Sequence, residues 1–498
     1  MNAPLRKARP YIFWGQTQSL CETCLTLVPT KIQILGDEVW YEKRCRQHGV
    51  QSTLVSTDAT YWRRCKEFIK PGDRPLSFQS RTEFGCPYDC GLCPDHEQHS
   101  CLALIEITEH CNLTCPVCFA ESSPARTRFT PLEKIEKMLD ALVRSEGEPD
   151  LVQISGGEPT LHPQFFEILD AAKQRPIRHL MVNTNGLRVA HEPDFAERLA
   201  RYAPGFEIYL QFDSMRAAAL KTLRGADLSR VREQALANLE RVGLSTTLVV
   251  TVARGVNDDE LGSIIELAAG WSCVRGVTIQ PVQFAGRTES VTAARDRLTL
   301  TEVRSRILAQ TRLFRPEDII PVPCNPDALA MAYAIRQPAG LVPLTGMLPP
   351  EVLLAGRRNT IVFERDAALR DHIVRLFSTA RGPEAQARCL SDLLCCLPGV
   401  SAPADLGYRD IFRVLIMQFI DAHNFDVRAV KRSCVHIVQP DGRMIPFETF
   451  NLLYRDDRSA TLARRRAEID RLYDLAAMPS VSAATDLDDW HAPPGAPT

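Results

Sequence analysis

Three closely spaced cysteines follow an apolar stretch of the chain at Leu102–Ile107. They are Cys111, Cys115 and Cys118, with Cx3CxxC spacing. A strand that ends in a loop of three such thiolates can hold three irons of a [4Fe–4S] cluster and leave the fourth iron without a protein ligand. An iron with an open coordination position can bind a reactant, which a closed four-cysteine site does not offer. The alternative for the three residues alone is a zinc loop that lacks its fourth ligand.

A second Cx3CxxC triplet precedes the first and has a fourth cysteine close behind it. Four thiolates predict a closed auxiliary cluster that relays electrons or positions a substrate. Two histidines, His96 and His99, lie before the fourth cysteine, and either could replace it as a ligand. An alternative gives the open iron to this triplet, although no apolar strand leads into it. The four cysteines are Cys86, Cys90, Cys93 and Cys101.

The N-terminal part carries a third set of candidate ligands. Cys21 and Cys24 form a CxxC pair. Cys45 and His48 form a CxxH pair, and the chain between the pairs alternates around a Gly-Asp turn. Two ligand pairs joined by a hairpin bring four donors into a tetrahedron, as in zinc ribbons and rubredoxin-like sites. The residue types fit zinc or a single iron, and Cys65 is an alternative to the histidine.

The composition favours a metal-binding protein of a reducing compartment. Of 498 residues, 17 are cysteines, and eleven of these stand at or before Cys118. The sequence begins without the apolar stretch of a secretory signal, so metal ligation is favoured over disulfides and the expected location is the cytoplasm. The 59 basic and 61 acidic side chains give a net charge of −2, which disfavours a surface that coats nucleic acid. No apolar run of about 18 residues predicts a membrane span.

Residues 102–313 alternate between strand-like and helix-like segments. Helix starts such as Thr130-Pro131 place a capping side chain before the first turn. Six βα units predict an α/β fold with a parallel sheet curled into a partial (β/α)6 barrel, whose reactive groups belong at the C-terminal ends of the strands. The predicted strands are Leu102–Ile107, Leu151–Ser155, His179–Asn183, Glu207–Asp213, Thr246–Val252 and Val277–Val282.

Polar motifs stand at the ends of these predicted strands. The second strand leads into Gly156, Gly157, Glu158 and Pro159. Two glycines allow a backbone edge to approach a ligand closely, and proline stiffens the exit from the turn. This turn is weak evidence alone, but it is specific when it follows a three-cysteine loop by one βα unit. The third, fourth and sixth strands end at further polar residues, which are Asn185, Asp213 and Gln280.

Together, the cysteine loop Cys111–Glu121 and the Gly-Gly-Glu-Pro turn resemble the signature of the radical S-adenosylmethionine (SAM) superfamily. The resemblance implies that the amino and carboxylate groups of SAM chelate the open iron held by the first triplet. It implies that an electron then cleaves SAM to methionine and a 5′-deoxyadenosyl radical. It also implies that Glu158, with the two glycines before it, orients SAM.

The same resemblance suggests further contacts with the cofactor. Counterparts of Asn185 and Asp213 often touch ribose hydroxyls, and Gln280 is expected to face the SAM carboxylate or the substrate. Phe119 is the nearest aromatic residue for the adenine, because Val117 stands where the superfamily usually has an aromatic side chain.

The chain resembles one family of the superfamily more closely. The CxxC…CxxHG module, the GCPYDCGLCP loop, CNLTCPVCFAE with GGEPT, and QPV…GR combine over roughly residues 11–457. They are similar to the family that holds the archaeal tetraether lipid synthase and the radical SAM methylase of the pterin in methanopterin biosynthesis. The resemblance implies more than one [4Fe–4S] cluster besides a mononuclear metal site.

Two cysteines beyond the predicted barrel, Cys324 and Cys434, are further candidate metal ligands. Buried, unreactive cysteines are the alternative. The family often has a cysteine after Pro-Phe, where this chain has Glu448, which weakens the expectation of a third cluster. In the same region, the apolar segment Asp410–Ala422 predicts a buried helix. Candidate partners for the two cysteines are Cys389, Cys395 and Cys396.

The sequence predicts five regions. A zinc-ribbon or rubredoxin-like module and an auxiliary-cluster loop precede the barrel, and a C-terminal α+β extension and a proline-rich disordered tail follow it. In this order the regions are 1–70, 71–101, 102–313, 314–478 and 479–498.

The resemblance favours radical C-methylation of a pterin-like substrate of the 7,8-dihydro-6-hydroxymethylpterin type. The expected partners are this small molecule and an external electron donor of the ferredoxin or flavodoxin kind. An alternative is radical coupling of lipid tails with a peripheral membrane contact, for which the apolar segments Leu341–Leu354 and Phe412–Ile420 are candidates. A non-enzyme alternative is a multi-cluster electron carrier, although a carrier has no use for an open iron.

Overall fold

The computed structural model describes residues 9–337, 340–354, 408–455 and 458–473. Its N-terminal strands are β1 (Ile12–Leu20), β2 (Leu27–Leu35), β3 (Glu38–Cys45) and β4 (Gly49–Ser56). They form an antiparallel sheet in the order β1-β2-β3-β4. The predicted hairpin is confirmed as β2 and β3, and its turn contains Gly36 with a φ of 58°, a backbone conformation that suits glycine.

Six parallel strands form the centre of a second sheet. They are β5 (Leu102–Glu106), β7 (Leu151–Ser155), β8 (His179–Thr184), β9 (Phe206–Gln211), β10 (Thr246–Val252) and β11 (Val274–Pro281). Each strand pairs in parallel with the next one in this series. This order is the one that successive right-handed βα units produce, and it confirms the predicted partial barrel.

Strands from the C-terminal part extend this sheet at both edges. They are β13 (Ile320–Pro321), β14 (Leu329–Gln337), β15 (Gly340–Pro343), β16 (Ile411–Met417), β17 (Val435–Val438) and β18 (Met444–Pro446). β16 runs parallel to β11, and β17 runs parallel to β5. The strands of the predicted C-terminal extension therefore continue the barrel wall instead of forming a separate layer.

The prediction of a buried helix at Asp410–Ala422 was wrong, because this segment contains β16. Phe412 and Ile416 on one face are 0% exposed, and Ile411 and Met417 on the other face are 3% and 2% exposed. A strand covered on both faces has a continuous apolar run in place of polar–apolar alternation. Such a run does not distinguish a buried strand from a buried helix.

Helices connect the strands, and most of them cover the outer face of the sheet. The longer ones are Ala59–Glu67, Leu132–Glu146, Phe165–Lys173, Pro193–Ala200, Ala217–Arg224, Ser229–Arg241, Leu261–Gly270, Leu300–Gln310 and Ser459–Tyr473. The shorter ones are Leu187–His191, Ala293–Asp296, Pro350–Leu354, Val427–Val430, Phe447–Thr449 and the π-helix Phe450–Tyr454. Leu139, Ile168 and Leu239, which point from three of the longer helices into the main core, are 0% exposed.

Two sets of predictions lie outside the described residues. They concern the tail at 479–498 and the partners Cys389, Cys395 and Cys396. Within the described ranges, no helix is both long enough and apolar enough to cross a membrane.

Candidate functional site

The first cysteine triplet lines a cavity of about 1220 Å³ at the C-terminal ends of the barrel strands. Cys111 and Cys115 are each 8% exposed, and Cys118 is half-buried. Burial raises the pKa of the Cys111 thiol to about 12 and also raises the pKa of Cys115. Thiols in such surroundings need a nearby cation to ionise, and a bound metal supplies that charge. The three residues therefore suit the ligands of one cluster beside the cavity.

The Gly-Gly-Glu turn supports the loop that carries these cysteines. Gly157 donates its backbone N–H to the carbonyl of Thr108 at 2.7 Å, and Glu158 donates to the carbonyl of His110 at 2.8 Å. A Cβ atom at Gly156 would collide with Thr108, and one at Gly157 would collide with His110. The two glycines thus allow close contact between the turn and the cluster loop, and their backbone also lines the cavity.

Arg287 holds the cluster loop from another side. Its guanidinium donates to the carbonyl of Cys115 at 2.6 Å and to the carbonyl of Ser122 at 2.7 Å. The short strand β12 (Arg287–Thr288) also pairs with β6 (Val117–Cys118). Arg287 is therefore a positioning residue for the loop.

Glu158 is 1% exposed and lies on the cavity wall. Its Oε1 accepts hydrogen bonds from the hydroxyls of Thr160 at 2.5 Å and Thr184 at 2.8 Å. Its Oε2 accepts from the backbone N–H of Asn185 at 2.7 Å. Burial raises the pKa of Glu158, and these donors act in the opposite direction by stabilising the ionised form. A carboxylate fixed in this way can accept a hydrogen bond from an ammonium group without reorganising.

Asp213 lies behind the cavity wall, which differs from its predicted contact with ribose. Its carboxylate accepts hydrogen bonds from Arg224 at 2.5 and 2.7 Å, from Arg232 at 3.5 Å and from the backbone of Thr251 at 3.2 Å. Arg224 and Arg232 line the cavity. The negative charge of Asp213 therefore balances the charges of Arg224 and Arg232. Their guanidinium groups, and not the carboxylate of Asp213, line the cavity. Sequence reasoning missed both arginines, because neither belongs to a recognisable motif.

The other predicted cofactor-binding residues are divided between the cavity wall and the layer behind it. Phe119, Asn185 and Gln280 lie on the wall. Pro159 begins a short 3-10 helix behind the Gly-Gly-Glu turn. Asn185 donates from its side chain to Asn112 Oδ1 at 2.7 Å, which links the third barrel strand to the cluster loop.

The N-terminal candidate ligands meet in a compact group. The donor atoms of Cys21, Cys24, Cys45 and His48 all lie within 4.8 Å of one another. The sulfurs of Cys24 and Cys45 are 3.9 Å apart, and His48 Nδ1 lies 3.5 Å from the sulfurs of Cys21 and Cys45. Tetrahedral zinc, with bonds of ~2.3 Å to sulfur and ~2.0–2.1 Å to nitrogen, has edges of about 3.8 and 3.5 Å. The four residues therefore fit a mononuclear metal, whereas the alternative ligand Cys65 is buried in the main core.

The second triplet, Cys86, Cys90 and Cys93, surrounds a smaller cavity of about 360 Å³. Asp89 organises this loop, because its Oδ2 accepts three successive backbone N–H groups at 2.6 to 2.7 Å. Burial raises the pKa of the Cys90 thiol to about 12. His96, one of the two predicted substitutes for the fourth cysteine, lines the same cavity.

Cys101 lies in a different group from the one predicted for it. Its sulfur and those of Cys324 and Cys434 lie within 4.8 Å of one another, and all three residues are buried. The sulfurs of Cys324 and Cys434 are 3.6 Å apart. The sheet explains this group, since Cys101 directly precedes β5 and Cys434 directly precedes its parallel neighbour β17.

A histidine and a carboxylate adjoin the group of Cys101, Cys324 and Cys434. His99 Nε2 lies 3.5 Å from the sulfur of Cys101, and His99 Nδ1 lies 2.8 Å from Glu146 Oε2. A carboxylate that orients a histidine is a common arrangement beside protein-bound metals. His99, the other predicted substitute, therefore adjoins Cys101 and not the Cys86 triplet.

A three-thiol loop and a Gly-Gly-Glu turn at the ends of parallel barrel strands define a radical SAM enzyme, and residues 105–268 match the model of the Radical SAM superfamily. Residues 13–57 match the HMPTM N-terminal zinc ribbon domain. The chain is 30% identical over 480 residues to 7,8-dihydro-6-hydroxymethylpterin dimethyltransferase of Methanocaldococcus jannaschii, with 89% of this chain and 94% of the relative covered. The chain belongs to the family of this dimethyltransferase.

Two further likenesses cover less of the chain. Mycofactocin maturase MftC of Mycolicibacterium smegmatis is 28% identical over 173 residues, which are 35% of this chain and 43% of the relative. The crystal structure of Streptococcus suis SuiB bound to precursor peptide SuiA is 15% identical and covers 43% of this chain and 46% of its own, with a TM-score of 0.37. As a radical SAM methyltransferase, the chain uses SAM and a [4Fe–4S] cluster, and its other cysteine groups are suited to further metals.

Proposed function

We propose that the chain methylates a carbon atom of a pterin of the 7,8-dihydro-6-hydroxymethyl type. The observation that carries this proposal is the match to the dimethyltransferase over nearly the full length of both chains. The cavity supports it, because the first cysteine triplet and Glu158 face one volume of about 1220 Å³. Its lining combines apolar side chains with a few polar groups, which is typical of small-molecule sites.

Each side chain at the barrel mouth has a distinct role in this proposal. Cys111, Cys115 and Cys118 hold the cluster. When bound, the cluster and SAM would supply a 5′-deoxyadenosyl radical able to take hydrogen from the substrate, and a second molecule that serves as methyl donor would supply the methyl group. Glu158 accepts hydrogen bonds from the SAM ammonium group and fixes its orientation. Asn185 provides a neutral polar group on the cavity wall beside Glu158.

Aromatic side chains enclose the reacting volume. Phe119 packs edge-on against Phe447 with ring centroids 4.9 Å apart, and Phe447 stacks on Phe419 at 4.0 Å. All three residues line the cavity. An enclosed apolar wall keeps water and small hydrogen donors away from a radical that would otherwise react with them.

The remaining cysteine groups are proposed to hold auxiliary metals. Cys86, Cys90 and Cys93 would hold an auxiliary cluster, with His96 as a candidate fourth ligand. The group of Cys101 would hold a further metal centre, and the N-terminal four-ligand group a structural zinc or iron. Reduction of these centres requires an external donor of the ferredoxin or flavodoxin kind, and the reducing cytoplasm suits their thiolates.

Lipid-tail coupling has less support from the two apolar segments named for it. In Phe412–Ile420, the residues Phe412 and Ile416 are 0% exposed. In Leu341–Leu354, the residues Leu344, Leu348 and Leu353 are 1%, 7% and 4% exposed. These described side chains belong to the core around the barrel and do not offer a membrane contact.

The deciding experiment measures 5′-deoxyadenosine and methylated product from the anaerobically reconstituted protein with SAM and a strong reductant. One tube receives 7,8-dihydro-6-hydroxymethylpterin, and another receives phospholipid. Stimulation and methylation in the pterin tube are expected. Stimulation by phospholipid alone would favour lipid coupling, and no deoxyadenosine from fully iron-loaded protein would favour an electron carrier.

A further inference from the structure

The barrel interior continues below the main cavity into a second chamber. This inner chamber is narrower than the main cavity. Leu102, Gln153, Tyr209 and Met417 line both spaces and form a neck between them. A molecule in the main cavity can therefore contact these four side chains.

The floor of the inner chamber is an internal ion network. Glu207 is 1% exposed, and its carboxylate lies 3.0 Å from His179 Nε2 and 3.3 Å from the guanidinium of Arg413. It also accepts hydrogen bonds from the hydroxyls of Thr247 and Tyr408. Burial acts to raise the pKa of Glu207, but the charge of Arg413 and the donors outweigh it and hold this pKa well below its usual range. Because both oxygens have several partners, the floor closes the barrel and has little remaining capacity for a ligand.

The neck, in contrast, has polar groups with free hydrogen-bonding capacity. Gln153 is 4% exposed, and its carboxamide makes no hydrogen bond to any residue in the described part of the chain. Gln280 donates to the hydroxyl of Tyr209 at 3.0 Å, and its Oε1 has no partner among the described residues. Both carboxamides open onto the cavity, where a ligand can pair with them.

We propose that Gln153 recognises the aminopyrimidinone edge of the substrate's pterin ring at this neck, an inference that rests on the proposed function. A carboxamide presents one acceptor and two donor hydrogens in a plane. The pterin edge presents N–H groups at N3 and the 2-amino group beside the acceptors N1 and O4. A planar pair of hydrogen bonds, from the 2-amino group to the carboxamide oxygen and from the carboxamide N–H to N1, leaves the other ring directed toward the main cavity, where the three cysteines of the cluster loop lie.

The test is equilibrium binding of 7,8-dihydro-6-hydroxymethylpterin to the reconstituted protein in the presence of SAM. Methionine has nearly the length and volume of glutamine but forms no comparable hydrogen bonds. Gln153→Met is therefore expected to weaken pterin binding by about 10- to 100-fold. The matched control is Gln164→Met, which makes the same change at an exposed position outside the barrel and should leave the affinity unchanged.

A second readout separates recognition from a merely structural role. The 2-oxo analogue lacks the 2-amino donor, so the wild-type protein should prefer the pterin and Gln153→Met should lose this preference. Gln153→Glu offers only acceptors, so it should increase the preference for the pterin over the 2-oxo analogue. If the methionine variant does not load its iron, the glutamate variant tests whether residue 153 recognises the pterin. Unchanged affinity and preference in these variants would overturn this inference and leave the proposed function intact. Failure of the wild-type protein to bind the pterin would overturn both.

Discussion

The N-terminal metal site and the cysteine loop at the barrel mouth use similar residues in opposite ways. In the N-terminal module, four donors lie together with separations of 3.5 and 3.9 Å that suit a tetrahedral metal. At the barrel mouth, three thiols border a cavity of about 1220 Å³. A complete set of ligands stabilises the segment that supplies it, whereas an incomplete set leaves a coordination position for a reactant. The number of donors and the space beside them, more than the residue type, separate a structural site from a reactive one.

Removal of a ligand from the barrel-mouth site should have the largest effect on activity. We expect Cys115→Ala to reduce SAM cleavage to background and to remove one cluster's iron, because two thiols hold an open cluster poorly. The mononuclear metal of the N-terminal module should remain. Deoxyadenosine release and metal analysis on the same preparation measure both. Retained SAM cleavage would assign the open iron to the Cys86 triplet instead.

Removal of the charge of Glu158 should have the second-largest effect, because this carboxylate is proposed to bind SAM and not iron. Glu158→Gln is expected to weaken SAM binding by about 1.5–3 kcal/mol, the usual contribution of a hydrogen bond to a charged group. Iron content should not change. Calorimetric titration of SAM into the reconstituted variant measures the loss, with the exposed Glu133→Gln as control. Unchanged SAM affinity would remove Glu158 from the cofactor site.

Variants at the auxiliary cysteines test how the remaining ligands are divided. We expect Cys101→Ala and Cys324→Ala to remove the same metal, so that their double variant loses no more than either single variant. Cys90→Ala should remove a different centre, and its loss should add to that of Cys101→Ala. Iron and zinc analysis of the purified proteins provides the measurement. Additive losses for Cys101 and Cys324 would show that they do not share a centre.

The N-terminal site should influence activity least. Cys45→Ala is expected to release the mononuclear metal and to lower the midpoint of thermal unfolding by several degrees, because metal binding contributes to the folding of small modules. SAM cleavage should change little, since the donors of this module bind no reactant. A calorimetric scan with a parallel deoxyadenosine assay tests this. A complete loss of cleavage in a fully folded variant would contradict a structural role.

Most of the barrel and its motif residues could be predicted from the sequence, because each motif is local. The strand before Cys111 and the turn at Glu158 are short segments, and each has a sequence pattern that is recognisable without its distant contacts. The group of Cys101, Cys324 and Cys434 was not predictable, since only the pairing of distant strands brings its members together. The Gly-Gly-Glu motif is enough to predict that Glu158 lies on the cavity wall. Arg224 and Arg232, which pair with Asp213, belong to helices whose sequences contain no recognisable motif.

The pairing of β5 with β17 at one edge of the barrel also affects how the protein folds during synthesis. β5 leads directly into the cluster loop, and its outer edge pairs with β17 near the end of the chain. A nascent chain emerges from its N-terminus, so this edge lacks its partner until most of the sequence has been synthesised. An unpaired strand edge invites aggregation and leaves the cluster loop unsupported. We therefore expect iron–sulfur clusters to enter the completed chain after translation, and truncated products to be insoluble and without iron.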